Sequence, residues 1–284
     1  MKLVAIDLDG TLLNKDHRIS AENMHALSAA SEHHIVAIAT GRAIMDVRAL
    51  LRNKVRLPVI ASNGATIFDR SGQLLSEEPI PQYAAEKLIA YAEHHHLYYE
   101  ATVENDLLAP PDGKLILQKE LEQSEAYLTT ETAQKAWARA EVQFNQAGWK
   151  PQSKISMLIH RGCPVYKLLI FSFDKHVLAD FKEHFADRTD SSCTNSVGYT
   201  VEFNSNKADK GKAIRQLAKH YGVNPKDTIV IGDSTNDLPM FRTAATRVAM
   251  GNAIPSIKEI SSYVTLDCNY NGVAYSLKNQ LALF

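Results

Sequence analysis

The chain has 284 residues, 45% of them hydrophobic and 22% charged, which is enough for one large or two ordinary domains, each with its own core. A formal net charge of −1 gives no electrostatic case for nucleic acid or an anionic membrane surface as partner. Three cysteines, Cys163, Cys193 and Cys268, are far apart and form no CxxC pair, which excludes a disulfide framework and a thiolate zinc site and fits a reducing compartment. The first apolar run is broken by Asp7, unlike a signal peptide, and no apolar stretch approaches the ~18 residues of a bilayer span. A soluble, cytoplasmic protein is expected.

In chain order, Leu3–Leu8 reads as a buried strand, and Ser20 is placed to cap a helix over Ala21–Ser31. Ile35–Ala39 is a second apolar strand ending at Thr40-Gly41-Arg42. A helix follows, with Ile44, Val47, Leu50 and Leu51 on one stripe. Pro58–Ala61 is a third strand, stopped by Ser62-Asn63-Gly64. Short β-branched runs between amphipathic helices predict an α/β fold with a doubly wound parallel sheet.

The middle has another texture. Tyr83–His96 reads as a helix, Leu97–Val103, Lys154–His160, Lys167–Phe173 and Tyr199–Phe203 as alternating strands, Phe173–Phe185 as partly helical, and Leu107–Gly113 as a loop. Alternation of this kind predicts a sheet with one exposed face. The last quarter returns to the first pattern: a helix over Gly211–Tyr221, strands at Thr228–Ile231, Arg247–Met250 and Tyr263–Leu266, and a closing helix over Val273–Leu281. The expected organisation is therefore a discontinuous core, 1–81 and 206–284, with an α+β domain, 82–205, inserted into it.

Asp7-Leu8-Asp9-Gly10-Thr11 follows the first strand directly. Alternation along a strand sends i and i+2 to one face, and two neighbouring carboxylates repel, so the pair suggests groups held for a cation or a phosphoryl group. A plain Asp-Gly turn is the alternative from this segment alone. Ligand sites in such sheets lie at the carboxyl ends of the strands. Read at that end, the strands deliver Asp7 and Asp9, Thr40-Gly41-Arg42, Ser62-Asn63-Gly64, and Gly232-Asp233-Ser234-Thr235-Asn236-Asp237, with Lys210 before its helix. Four aspartates, a lysine, a threonine and an asparagine at one edge make a metal-plus-phosphate site. A carboxylate can attack phosphorus directly, and magnesium, held by one or two carboxylates and substrate oxygens, would cancel the repulsion between the two anions. A lysine and neutral donors steady the equatorial oxygens, while a second carboxylate moves protons.

These segments resemble the haloacid dehalogenase superfamily, in its Cof-type phosphatase branch with a large α/β cap. Asp7–Leu13 matches that family's first motif, Thr40-Gly41-Arg42 its second, Lys210-Gly211 its third and Gly232–Asp237 its fourth. Ser62–Ala65 and Met250-Gly251-Asn252-Ala253 match two further branch-typical segments. The resemblance implies a Mg2+-dependent phosphatase of small phosphorylated metabolites, such as sugar phosphates or phosphorylated cofactors. It implies Asp7 as nucleophile and Asp9 as general acid/base, with magnesium held by Asp7, the Asp9 backbone carbonyl and Asp233. It implies phosphate contacts from Leu8 backbone, Thr40, Gly41, Lys210 and Asn236, with Asp237, Arg42 and Asn63 in support. Ser234-Thr235 departs mildly from the branch, which often has a larger or acidic residue there.

Two other readings stay open: phosphomutase chemistry of the phosphomannomutase type, and a non-catalytic sensor of phosphorylated metabolites. A P-loop NTPase is excluded, because no GxxxxGK[ST] occurs. Lys207 and Lys212 read as solvated charges beside Lys210. His94-His95-His96 reads as a solvated helix end, since adjacent helical residues cannot converge on one ion. Tyr98, Tyr99, Trp137 and Trp149 read as packing residues of the inserted domain.

Overall fold

A computed structural model describes residues 1–52, 54–124, 130–196 and 198–284. The chain opens with β1 (Leu3–Ile6), α1 (Ala21–His33), β2 (Ile35–Ala39), α2 (Ile44–Leu51), β3 (Val59–Ala61), β4 (Thr66–Phe68) and β5 (Leu74–Glu77). The central stretch holds α3 (Gln82–His94), β6 (Tyr98–Thr102), β7 (Leu107–Ala109), α4 (Gly113–Ser124), α5 (Thr130–Phe144) and β8 (Trp149–Pro151). It continues through α6 (Ile155–His160), β9 (Lys167–Phe171), α7 (Lys175–His184), β10 (Ser191–Ser196) and β11 (Thr200–Ser205). The chain closes with α8 (Lys210–His220), β12 (Thr228–Gly232), α9 (Leu238–Thr243), β13 (Thr246–Ala249), α10 (Pro255–Glu259), β14 (Tyr263–Val264) and α11 (Gly272–Tyr275). Two units result: Met1–Glu77 with Ala208–Phe284, and Glu78–Lys207. No helix among the described residues is long and apolar enough to cross a membrane.

The first unit is built on an eight-stranded sheet of order β14-β13-β12-β1-β2-β3-β4-β5. It is parallel from β14 to β3, and the β4–β5 hairpin continues it antiparallel at one edge. β1, β2 and β12 are buried at every residue, which is why their sequences are unbroken apolar runs: both faces are covered. From β1 the chain winds to β2 and β3 on one side, and later to β13 and β14 beyond β12 on the other. That reversal around β1 makes the carboxyl ends of β1, β2 and β12 the switch-point edge. The Ser20 hydroxyl accepts from the Asn23 N–H at 3.0 Å and starts α1, which buries Ala26, Leu27 and Ala30.

The inserted unit has a six-stranded sheet, β10-β11-β9-β6-β7-β8. Three expectations are corrected here. Lys154–His160 is helical, not extended: Ile155 and Ile159 are buried with Leu158 packed beside them, whereas Met157, which an alternating strand would bury, is 46% exposed. A short run apolar at 155, 157, 158 and 159 satisfies both periods, and packing decides between them. Leu107–Ala109 is a strand rather than loop, pairing with β6 and β8. The sheet has no exposed face over β6 and β9. Tyr99, Ala101, Leu168 and Ile170 enter one apolar cluster, while Tyr98, Leu169 and Phe171 enter another that includes Leu117, Leu121, Ala133, Ala136, Ala140 and Phe144 from α4 and α5. Those two helices cover the second face. Trp137 and Trp149 pack against this second cluster, and His94, His95 and His96 are exposed at the end of α3.

Candidate active site

β1 stops at Ile6, one residue before the carboxylates. Asp7 still bonds the sheet, its N–H donating to Ile231 O at 3.0 Å, and a wide turn follows over Leu8–Leu12. Gly10 turns the chain at φ +75°, and a Cβ there would collide with the Asp233 carboxylate, so this position requires glycine. The turn, rather than strand alternation, separates the pair: Asp7 is 3% exposed, the Leu8 side chain is buried, and Asp9 faces solvent.

Asp7 meets Lys210 across the sheet edge. The Lys210 ammonium, 1% exposed at the first turn of α8, donates to Asp7 Oδ1 at 2.7 Å and to Asp237 Oδ1 at 2.8 Å. Asp237 spends its other oxygen on the N–H groups of Asp233 and Ser234, at 2.9 and 3.2 Å. Thr11 Oγ1 donates to Asp233 Oδ1 at 3.2 Å. Oxygens of Asp7, Asp233 and Asp237 lie within 4.8 Å of one another, the one such cluster of metal-type ligands among the described residues. Three carboxyl groups share one ammonium, so their full ionisation would leave two negative charges uncompensated. Burial, reinforced by Asp237, pushes Asp233 up to about 7. Burial and then Asp237 also raise Asp7, against the pull of Lys210. Burial would lower Lys210, but Asp237 and Asp7 outweigh it and hold the ammonium above its ordinary range. Hard oxygen donors carrying surplus negative charge fit magnesium.

A second group forms around Asp9. Arg42 grips it as a fork, Nε to Oδ2 at 2.8 Å and a terminal nitrogen to Oδ1 at 2.6 Å. Partial desolvation by the surrounding loops would raise the half-exposed Asp9 carboxyl, but the Arg42 bonds and charge hold it below its ordinary range. Thr40 is buried at the end of β2, its Oγ1 accepting from the Arg42 N–H at 3.1 Å. Asn63 N–H donates to Thr40 O at 2.9 Å, and a Cβ on Gly41 would press on the Asn63 amide. Ser62, Asn63 and Gly64 are all left-handed. Gly64 lies so close to the Asp209 backbone that a Cβ would meet it at 2.6 Å, so the third loop abuts the start of α8 and thereby Lys210. Asn236 bonds within its own loop, accepting from Ser234 Oγ at 2.7 Å. The carboxylates, Lys210, Arg42, Thr40, Gly41 and Asn63 are thus brought together in two bonded groups. Thr11 belongs to the first motif, but its role as a donor to Asp233 follows only from the fold, because the two residues are 222 positions apart.

The model of a haloacid dehalogenase-like hydrolase family matches residues 4–277. The chain is similar to 5-amino-6-(5-phospho-D-ribitylamino)uracil phosphatase YwtE of Bacillus subtilis (strain 168), 41% identical over 283 residues and 99% of each chain. It is also similar to the phosphatase YwpJ of the same organism, 35% identical over 99% of this chain and 100% of that one. A solved haloacid dehalogenase-like hydrolase from B. subtilis superposes with a TM-score of 0.81 at 35% identity, over 98% of this chain and 99% of that one.

Proposed function

This chain belongs to the haloacid dehalogenase-like hydrolase family and is one of its phosphatases, and on that premise we propose that it hydrolyses small phosphorylated metabolites with magnesium through an aspartyl-phosphate on Asp7. The observation that carries the reading is the buried Lys210 ammonium between Asp7 and Asp237, beside Asp233. Lys210 occupies Asp7 Oδ1 and orients the carboxylate, leaving Oδ2 to attack phosphorus. The bond from phosphorus to the leaving oxygen breaks, and Asp9 gives that oxygen its proton. Asp9 then takes a proton from water, whose oxygen attacks phosphorus, releasing phosphate and restoring Asp7. Protonation of Asp9 requires that Arg42 release one of its oxygens. Leu8 N–H, the Thr40 hydroxyl, Gly41 N–H, Lys210 and the Asn236 amide are assigned to the phosphate oxygens, where donors steady charge that develops in transfer.

Asp7 Oδ1, with a second lone pair beside its Lys210 bond, and Asp233 Oδ2 would offer oxygens to a metal, with the Asp9 carbonyl as third ligand, whereas Asp237 already accepts three hydrogen bonds and stays in support. Magnesium, when bound, supplies positive charge that lets an anionic nucleophile approach an anionic ester. Residues 82–205 are assigned to recognition of the leaving group. The relative that is 41% identical is named for a ribityl phosphate, which makes that ester the first substrate to try. The test is phosphate release from a panel of phosphorylated metabolites with magnesium, ranked by kcat/KM. One ester standing far above the rest supports the reading, and no release from any ester overturns it.

A further inference from the structure

The segment Met250-Gly251-Asn252-Ala253 has no part in the chemistry above, yet it is bonded to both halves of the acidic cluster. The backbone at its start and just after its end grips the fourth loop: Met250 N–H donates to Gly232 O and Ile254 N–H to Asp233 O, both at 3.0 Å. Its side chain reaches the first loop. Asn252 Nδ2 donates to Gly10 O at 2.7 Å while Asn252 Oδ1 accepts from Cys268 N–H at 2.9 Å. The turn's own bonds, Leu12 N–H to Asp7 O and Leu13 N–H to Leu8 O, leave the Gly10 carbonyl to Asn252. That carbonyl belongs to the Gly10–Thr11 peptide, and Thr11 Oγ1 is the group that donates to Asp233. A side-chain amide is required here, because one end must donate and the other accept.

We propose that Asn252 is a positioning residue that fixes the Gly10–Thr11 peptide against the Asp233 loop, and that magnesium affinity depends on its amide donor. The inference rests on the phosphatase reading. Asn252 is exposed, so its bond to Gly10 stabilises the fold only modestly. Its effect falls on the metal, as outer-shell partners shift metal affinity by about 10–100-fold.

The experiment is calorimetric titration of the substrate-free protein with magnesium chloride, alongside magnesium dependence of turnover, for wild type, Asn252→Ala and Asn252→Asp. Aspartate keeps the acceptor for Cys268 and loses the donor for Gly10. Both variants are expected to bind magnesium about 10-fold more weakly, with half-saturation of turnover rising in parallel. Their metal-free melting midpoints should fall by less than about 4 °C, as one exposed hydrogen bond implies. If the alanine variant does not fold, the aspartate variant decides by the same readouts. Magnesium affinity within about twofold of wild type, or tighter binding by the aspartate variant, overturns the inference alone. Wild-type protein that binds no magnesium overturns the metal reading itself, and the inference with it.

Discussion

The two units place their charged groups in opposite ways. In the core, carboxylates and Lys210 sit where strands end and helices begin, on turns such as Leu8–Leu12 that depart from any periodic structure. In the inserted unit Glu100 and Glu202 sit within strands and Lys167 at the first residue of β9. Glu100 is buried in the middle of β6, accepting from Tyr98 OH at 2.6 Å and Gln146 Nε2 at 3.2 Å, with Trp149 Nε1 donating to Tyr98 OH at 3.1 Å. Lys167 of β9 pairs with Glu202 of β11 at 3.3 Å on the same face. Turn chemistry needs particular residues in a particular order and leaves a motif. A charged side chain within a strand leaves only a break in an apolar pattern. The proposed reaction chemistry accordingly draws on the core, whereas Glu100, Lys167 and Glu202 of the insert are partnered within a folded interior.

The sharpest way to break this contrast is Asp7→Asn. Turnover should fall by on the order of 10⁴ or more, while the melting midpoint equals or exceeds that of wild type, because a buried like charge is removed. Retained turnover would end the nucleophile assignment. Asp9→Asn should slow hydrolysis by about 10²–10⁴, more for alkyl than for nitrophenyl phosphates, since poor leaving groups need the proton. Equal losses for both esters would remove its acid role. Lys210→Met should destabilise the core by about 3–5 kcal/mol in denaturant titration, because Asp7 and Asp237 lose the charge between them. A loss below about 1 kcal/mol would mean that the carboxylates are protonated or hydrated instead.

The smallest effect belongs to the insert. Burial pushes Glu100 up to about 7 from an ordinary 4.5, so the folded chain binds its proton more tightly than the unfolded one. Stability therefore falls as pH climbs from about 4.5 to about 7, and stays at the lower level above that. Glu100→Gln cannot ionise and should be the more stable chain at pH 8, by about 1–3 kcal/mol, with turnover of a generic aryl phosphate within about threefold. Gln146 can rotate its amide to meet the new side chain. A stability gap that is the same at pH 5 and pH 8 would show that packing, not charge, is at stake.

Most core elements were legible because their physics is local. Ile35–Ala39 and Thr228–Ile231 announce strands covered on both faces, and Ser20 announces the start of α1. Motif order singled out Asp7, Asp233, Asp237 and Lys210, which the fold brings together, and also Asn236, which bonds within its own loop. Ile155–His160 was misread because its apolar residues fit two periods, and the exposure of Met157 resolves it. The double covering of the second sheet was not legible from its strands, since Tyr98 and Leu169 look alike whether they face water or the helices α4 and α5.

The sequence by itself determined the α/β core, the chemical types at the strand ends and the family to which they point, because turns and buried strands constrain neighbouring residues. Only the tertiary structure decided which of those groups touch. That Lys210 stands between Asp7 and Asp237, that Arg42 holds Asp9, and that Asn252 reaches Gly10 are contacts across 203, 27, 33 and 242 residues of chain. Pairings that distant are set by sheet order and packing, which no local pattern encodes.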